Sequence, residues 1–256
     1  MNFTPTFLYH AQGAAFGGVM RRPKNEVLQA KAATALPQTG GVAFADEPTG
    51  YSYLDLFKFT RASTRASGSK DGNGIYTTTI TSSVDGLDMQ GVVKVARQVA
   101  SLKTLHNGAE DEARVDPSGS EISGFTISGY PVTVDLDITL MCELNTLKSF
   151  RDKYASDAAF RKMANERFGW DGSPATLPES RGLVSCSLVK KISCDCPGIT
   201  IKGNSIKIPE FGTVYIAEYW AKAGRRQLTM MRFALGSPTE GDVTVGGIDG
   251  NGQTFP

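Results

Sequence analysis

Gly124-Phe125-Thr126-Ile127-Ser128-Gly129, followed at once by Tyr130-Pro131-Val132-Thr133-Val134, is the stretch on which the fold turns. Between its two glycines apolar and polar residues alternate. Phe125 and Ile127 therefore fall on one face of a short strand, because strand side chains repeat with a period of two. The same pattern occurs at Gly86-Leu87-Asp88-Met89-Gln90-Gly91 before Val93-Lys94-Val95, and at Gly198-Ile199-Thr200-Ile201-Lys202-Gly203 before Ile206-Lys207-Ile208. A corner, bulge or tight turn takes glycine where φ is positive or where no Cβ fits. Gly86, Gly91, Gly124, Gly129, Gly198 and Gly203 thus read as structural positions, each copy as strand, kink and second strand. Leu87, Met89, Phe125, Ile127, Ile199 and Ile201 are expected to face one core.

Working outward, Val132 to Leu140 alternates without exception, as a sheet with one wet and one dry face requires. Tyr76 to Val84 is rich in Thr and Ser on both faces and reads as an edge or exposed strand. Further strands are expected at 92–99, 183–189, 213–219, 228–235 and 243–245. One helical region interrupts them: Leu144, Leu147, Phe150 and Tyr154 recur at spacings of three and four, Ser156-Asp157 offers a cap to a second turn carrying Phe160, Met163, Ala164 and Phe168, and Gly169 a stop. Glycine and small polar residues mark loops at 37–50, 61–74, 106–120 and 169–181. Asp71-Gly72-Asn73-Gly74 and Asp249-Gly250-Asn251-Gly252 lack the closing acid of a calcium loop and read as tight turns. The fold expected is mainly β: an antiparallel β-sandwich or β-roll with short glycine-framed repeats and one helical insertion around 144–168. Residues 1–256 read as a single β-rich domain, with 1–50 as an N-terminal arm.

Composition narrows the function classes. Hydrophobic residues are 40% of the chain and charged residues 21%, enough for a full core and unlike disorder. Lys plus Arg is 27 against 26 for Asp plus Glu, so no cationic excess exists to hold a phosphate backbone, and nucleic acid is not expected as a partner. The pair Arg225-Arg226 reads as a solvated turn or edge, and the acids after His106 as a solvated loop. The first residues carry neither the basic start nor the apolar run of a signal peptide, and no segment approaches the roughly 18 to 20 apolar residues of a membrane helix. A soluble chain is expected, with secretion or surface association left open.

No nucleophile, metal or phosphate motif is present, and the two histidines, His10 and His106, lie in none. No catalytic, cofactor or metal residue is therefore assigned. Cys186 with Cys194 or Cys196 reads as a disulfide across a short hairpin, with free buried thiols as the alternative, and Cys142 as unassigned; Cys194-x-Cys196 without a nearby His is not zinc spacing. Trp170 and Trp220 are candidates for stacking on a glycan, with Tyr51, Tyr53 and Tyr219. The leading expectation is a non-enzymatic structural or binding protein acting through surface contacts, with itself, another protein or a glycan as partner. The alternatives are a glycan-binding protein or paired-carboxylate hydrolase, and a pore-forming protein whose segment 75–84 supplies membrane strands.

Overall fold

A computed structural model describes residues 6–107, 112–170, 183–222 and 225–255. The first part of the chain forms β1 (Thr6–Arg22), β2 (Glu26–Lys31), β3 (Thr34–Ala35), β4 (Gly41–Glu47), β5 (Tyr51–Tyr53), β6 (Phe57–Phe59) and β7 (Arg61–Lys70). Then come β8 (Ile75–Met89), β9 (Val93–Asn107), β10 (Arg114–Asp116), β11 (Glu121–Ser123), β12 (Thr126–Ile127) and β13 (Tyr130–Leu136). Three helices follow, α1 (Ile138–Glu143), α2 (Leu147–Ser156) and α3 (Ala158–Phe168). The chain continues through β14 (Leu183–Ser187), β15 (Val189–Cys194), β16 (Thr200–Lys202), β17 (Ser205–Ile208), β18 (Gly212–Lys222), β19 (Arg225–Leu235) and β20 (Glu240–Phe255).

The strands build two antiparallel sheets packed face to face. A nine-stranded sheet runs β16-β17-β18-β19-β20-β1-β2, with β14 also on β18 and β3 on β1. An 11-stranded sheet runs β15-β13-β12-β9-β8-β6-β5, with β10 and β11 on β9, β7 on β8, and β4 on β7. The protein is therefore the expected antiparallel β-sandwich, and the inner faces of both sheets contribute to one hydrophobic cluster. Residues 1–50, expected as an arm, are built into the sandwich from Thr6 onward. There β1 pairs with β20 from Thr6 to Arg22, and β4 pairs with β7.

All six repeat glycines have positive φ, between +57° and +84°. In two copies the second glycine closes a two-residue reversal together with a non-glycine of positive φ: Gln90-Gly91 and Ser128-Gly129, the latter between the directly paired Ile127 and Tyr130. Such paired positive φ values match the twist of a tight hairpin. Leu87, Met89, Phe125 and Ile127 are buried as expected, whereas Ile199 and Ile201 are only partly buried.

The first glycine of the copies does something different. Along β8 the inward residues are Thr78, Ile80, Ser82 and Val84, then Leu87 and Met89, so the parity changes at Gly86. Its neighbour β9 turns Val93 and Val95 inward, then Gln98, Ala100, Leu102 and Thr104, changing parity around Ala96, opposite Gly86. Ala96 N–H in turn donates to the carbonyl of Gly124, and Thr60 N–H donates to that of Asp85. Thr60, Gly86, Ala96 and Gly124 thus form a crease across the 11-stranded sheet. The nine-stranded sheet has its own, through Ala217, Met230, Gly246 and Ala15, with Ala217 and Gly246 at φ +49° and +66°.

Magnitudes show why a strained residue such as Ala217 is retained. A left-handed non-glycine residue costs about 1–2 kcal/mol. Turning one large apolar side chain out of the core forfeits about 1.5–3 kcal/mol, and without the parity change every side chain beyond the crease would face the wrong way. Strands of this length also keep twisting, and a local kink lets the two sheets stay in contact.

Several sequence expectations give way to this packing. The segment 76–84 is not an edge strand, because β8 lies between β7 and β9 with Thr78 and Ser82 buried and Ser82 bonded to Thr64 at 3.0 Å. Residues 61–70 are strand β7 rather than loop: Ala62, Thr64 and Ala66 are buried, and a Cβ at Gly68 would lie 2.6 Å from the Tyr9 ring. Small residues there allow the sheets to approach closely. Alternation through Leu140 also misleads, since the strand ends at Leu136 and α1 begins at Ile138. In the helical insertion, Thr146 makes a capping box with Ser149, Asp157 caps α3, and Gly169 ends it in the left-handed conformation at φ +67°. Asp71-Gly72-Asn73-Gly74 is the expected turn, but Asp249 to Gly252 lies inside β20 between β1 and β19.

The crease makes a mutational prediction. Gly124→Ala places a Cβ 2.4 Å from that of Ala96 at φ +60°, whereas Gly91, at φ +70°, has open space around it. Gly91→Ala should cost only the strain of about 1–2 kcal/mol, and Gly124→Ala about 2–5 kcal/mol once overpacking is added. Urea unfolding measures both, and equal losses would show that the crease tolerates a side chain.

Candidate binding groove and exposed edges

The parity change has a consequence on the outer face of the nine-stranded sheet. Each of four adjacent strands turns two successive residues inward at the crease: Ile216 and Ala217 on β18, Met230 and Met231 on β19, Val245 and Gly246 on β20, Ala15 and Phe16 on β1. The outer face therefore lacks a row of side chains there. A trough results, with Glu218, Trp220, Gln227, Thr229, Arg232 and Thr244 around a cavity of about 310 Å³. It shares Gln227, Thr229 and Thr244 with an adjoining, more open cavity of about 570 Å³ that reaches Gln12, Thr34, Arg225 and Asp249. Beyond Arg225 and Gln12 a third cavity, about 330 Å³, extends to His10, Gln38 and Asn251.

The charges of this groove are paired. Arg232 donates to both carboxylate oxygens of Glu218, at 2.8 and 2.9 Å, and its guanidinium lies 3.9 Å from the Tyr215 ring centre. Such a fork is held in one geometry. Arg225 donates twice to Asp249 Oδ2, at 2.9 and 2.6 Å, and His10 Nε2 faces the same oxygen at 3.8 Å, beyond hydrogen-bond length. Burial pushes the Asp249 carboxyl up, but His10 and Arg225 outweigh it and hold the group below its ordinary value of 3.8.

The two tryptophans separate. Trp170 is buried among Phe150, Tyr154 and Phe168 and donates from Nε1 to the Ser185 carbonyl at 2.7 Å, so it is a core residue and not a stacking platform. Trp220 is 44% exposed at the groove. Tyr219, beside it in sequence, points into the core. The proposed disulfide does not form: all four cysteines are free. The hairpin assumed between Cys186 and Cys194 does not exist, because β14 pairs with β18 while β15 pairs with β13 in the other sheet.

Arg226, expected in solvent, is 1% exposed and paired with Glu112 at 2.5 Å. Glu112 also accepts from Leu147 N–H at 2.8 Å, which ties β19 to the start of α2. Glu112 is accordingly no part of a solvated loop, and the acids at 110 and 111 lie outside the described residues. No motif in the sequence marks Gln227, Thr229, Arg232 or Thr244. The one local signal is the broken alternation at Met230-Met231, which singles out the crease but not what lies across it.

A second surface is the side of the sandwich where β2 and β4 end their sheets. Among the described residues β2 pairs only with β1, and β4 only with β7. Lys31 links the two edges, 3.9 Å from Glu47 and over the Tyr51 ring. Val27 is 77% exposed, Val42 61% and Phe44 58%. No described helix is long and apolar enough to cross a membrane.

Fold and surfaces together define an antiparallel β-sandwich protein with a creased outer groove and open sheet edges at β2 and β4. The chain belongs to the family described as a domain of unknown function (DUF8256), whose model matches residues 7–222. That match stops at the end of β18, before β19 and β20, which close the sheet between β18 and β1. No curated protein and no solved structure matches the chain.

Two predictions follow from the buried groups. Because the folded-state pKa of Asp249 is depressed, its contribution to stability is present above about pH 4 and lost as pH falls through the folded value. Asp249→Asn should lower the urea midpoint at about pH 7 and flatten its decline toward about pH 3; an unchanged acid limb would remove Asp249 from that role. Burial pushes the Cys186 thiol up to about 12. It should resist a thiol reagent at about pH 8 until the protein unfolds, and labelling of Cys186 in the folded protein would contradict its placement.

Proposed function

We propose that this protein works without catalysis, as a structural subunit that associates with further copies of itself through the β2 and β4 edges. The observation that carries this reading is the exposure of Val27, Val42 and Phe44 on two neighbouring strands that end their sheets. An unpaired edge is a template for another strand, and soluble proteins blunt such edges with lysine, proline or bulges. Gly41-Val42-Ala43-Phe44-Ala45 carries neither lysine nor proline. A formal net charge of +1 leaves little long-range repulsion between copies. The Thr/Ser segment that motivated a pore-forming alternative supports it less, since Thr78, Ile80, Ser82 and Val84 face the shared core.

Light scattering over a concentration series tests the reading. The native chain is expected to populate a dimer or larger species, and Val42→Lys with Phe44→Lys to shift it to monomer while its thermal unfolding stays within about 0.5 kcal/mol of the parent, as for exposed sites. A monomer throughout the series, or an oligomer indifferent to both lysines, would overturn it.

A further inference from the structure

We propose that the groove across β18, β19, β20 and β1 binds a neutral oligosaccharide, with Trp220 stacking on a sugar ring. This stands apart from the edge association, because Trp220 and its neighbours lie on the outer face of the sheet rather than at its rim.

Three observations converge. The groove crosses three inter-strand spacings, about 14 Å, so it suits an extended ligand better than a single small molecule. Its ionic groups are already matched, Arg232 with Glu218 and Arg225 with Asp249, so an entering anion or cation would have to displace a paired partner. What remains available is neutral: the carboxamides of Gln12 and Gln227, the hydroxyl of Thr229, the acceptor lone pairs of Thr244, whose own proton goes to the Gly17 carbonyl at 3.3 Å, and the exposed indole of Trp220. Carboxamides and hydroxyls can both donate and accept, as sugar hydroxyls do, and an aromatic face presents an apolar platform beside polar groups. The fixed Arg232–Glu218 fork adds preorganised polar atoms without net charge.

Binding without hydrolysis is the expected outcome. Carboxylate-pair hydrolysis needs two acids free to act on one bond, whereas both oxygens of Glu218 already accept from Arg232 and Oδ2 of Asp249 from Arg225.

The chain offers its own reporter, since it has two tryptophans and Trp170 is buried. Acrylamide quenching should therefore report mainly on Trp220. The probes are cellohexaose, maltohexaose, xylohexaose and chitohexaose, with polygalacturonate as the anionic comparison. At least one neutral hexasaccharide is expected to protect Trp220 and to bind calorimetrically with a Kd of about 1 mM or tighter. That binding should persist in about 0.5 M salt. Trp220→Ala and Gln227→Ala should each weaken it at least about tenfold, while the solution mass stays that of the parent. Gln227→Ala keeps the test decisive if the tryptophan variant folds poorly. Absence of protection and heat with all four neutral probes would overturn the proposal. So would binding that survives both substitutions, or a response confined to polygalacturonate and abolished by salt.

Discussion

The parity change along the two creases is the constraint on which the rest of this structure depends. A strand of 17 residues such as β1 extends for roughly 55 Å, and over that length strict alternation would have to remain in phase with a partner sheet that twists away from it. Ala15-Phe16, Met230-Met231 and Ile216-Ala217 instead place two consecutive side chains in the core. Left-handed residues occur on alternate strands, at Gly86 and Gly124 in one sheet and at Ala217 and Gly246 in the other. Between them lie Ala96 and Met230, which follow the kink without positive φ. The crease of the nine-stranded sheet packs on the other sheet just past that sheet's own: a Cβ on Gly246 would come 2.6 Å from the Gln98 side chain and 3.5 Å from Ala100.

The same device shapes the surface. Two residues turned inward on each of four strands leave no side chains outside at that row, and the outer face sinks into a groove. Its walls come from the next outward residues, among them Glu218, Thr229, Arg232 and Thr244. A groove that results from backbone geometry is stiff, because it is held by the ladders of β18, β19, β20 and β1 rather than by loops. Ion pairs across neighbouring strands then fix the polar groups within it, and rigid polar groups lose little freedom when a ligand engages them.

Buried charge links the sheets to the helical insertion. Arg226 reaches Glu112, whose oxygen also takes the Leu147 N–H at the start of α2. The helices supply Leu144, Leu147, Phe150, Tyr154 and Phe160 to the core and shelter Trp170, with α3 against β14. A buried ion pair of this kind contributes little net stability when intact, yet removing one partner strands the other without solvent. It therefore holds the insertion in one place more than it strengthens the fold.

What the sequence determined by itself was local. Glycines framing an alternating pair give strand and turn, leucine and phenylalanine at spacings of three and four give a helix, and Asp157 and Gly169 bound α3, because each signal acts within a few residues of itself. Even the crease left a trace in Met230-Met231, but adjacent apolar residues are equally compatible with a buried helix or a strand end. Only the tertiary structure decided that Gly86 stands opposite Ala96, that Ala217 and Gly246 continue one line across a sheet, and that a polar Thr/Ser strand lies inside. It also decided that Cys186 and Cys194 belong to different sheets, that Arg226 is buried, and that Trp220 is outside while Trp170 is not. The reason is physical: which face of a strand is dry depends on the partners laid against it, and those partners can come from residues more than a hundred positions away, as β20 against β8 and β9 shows.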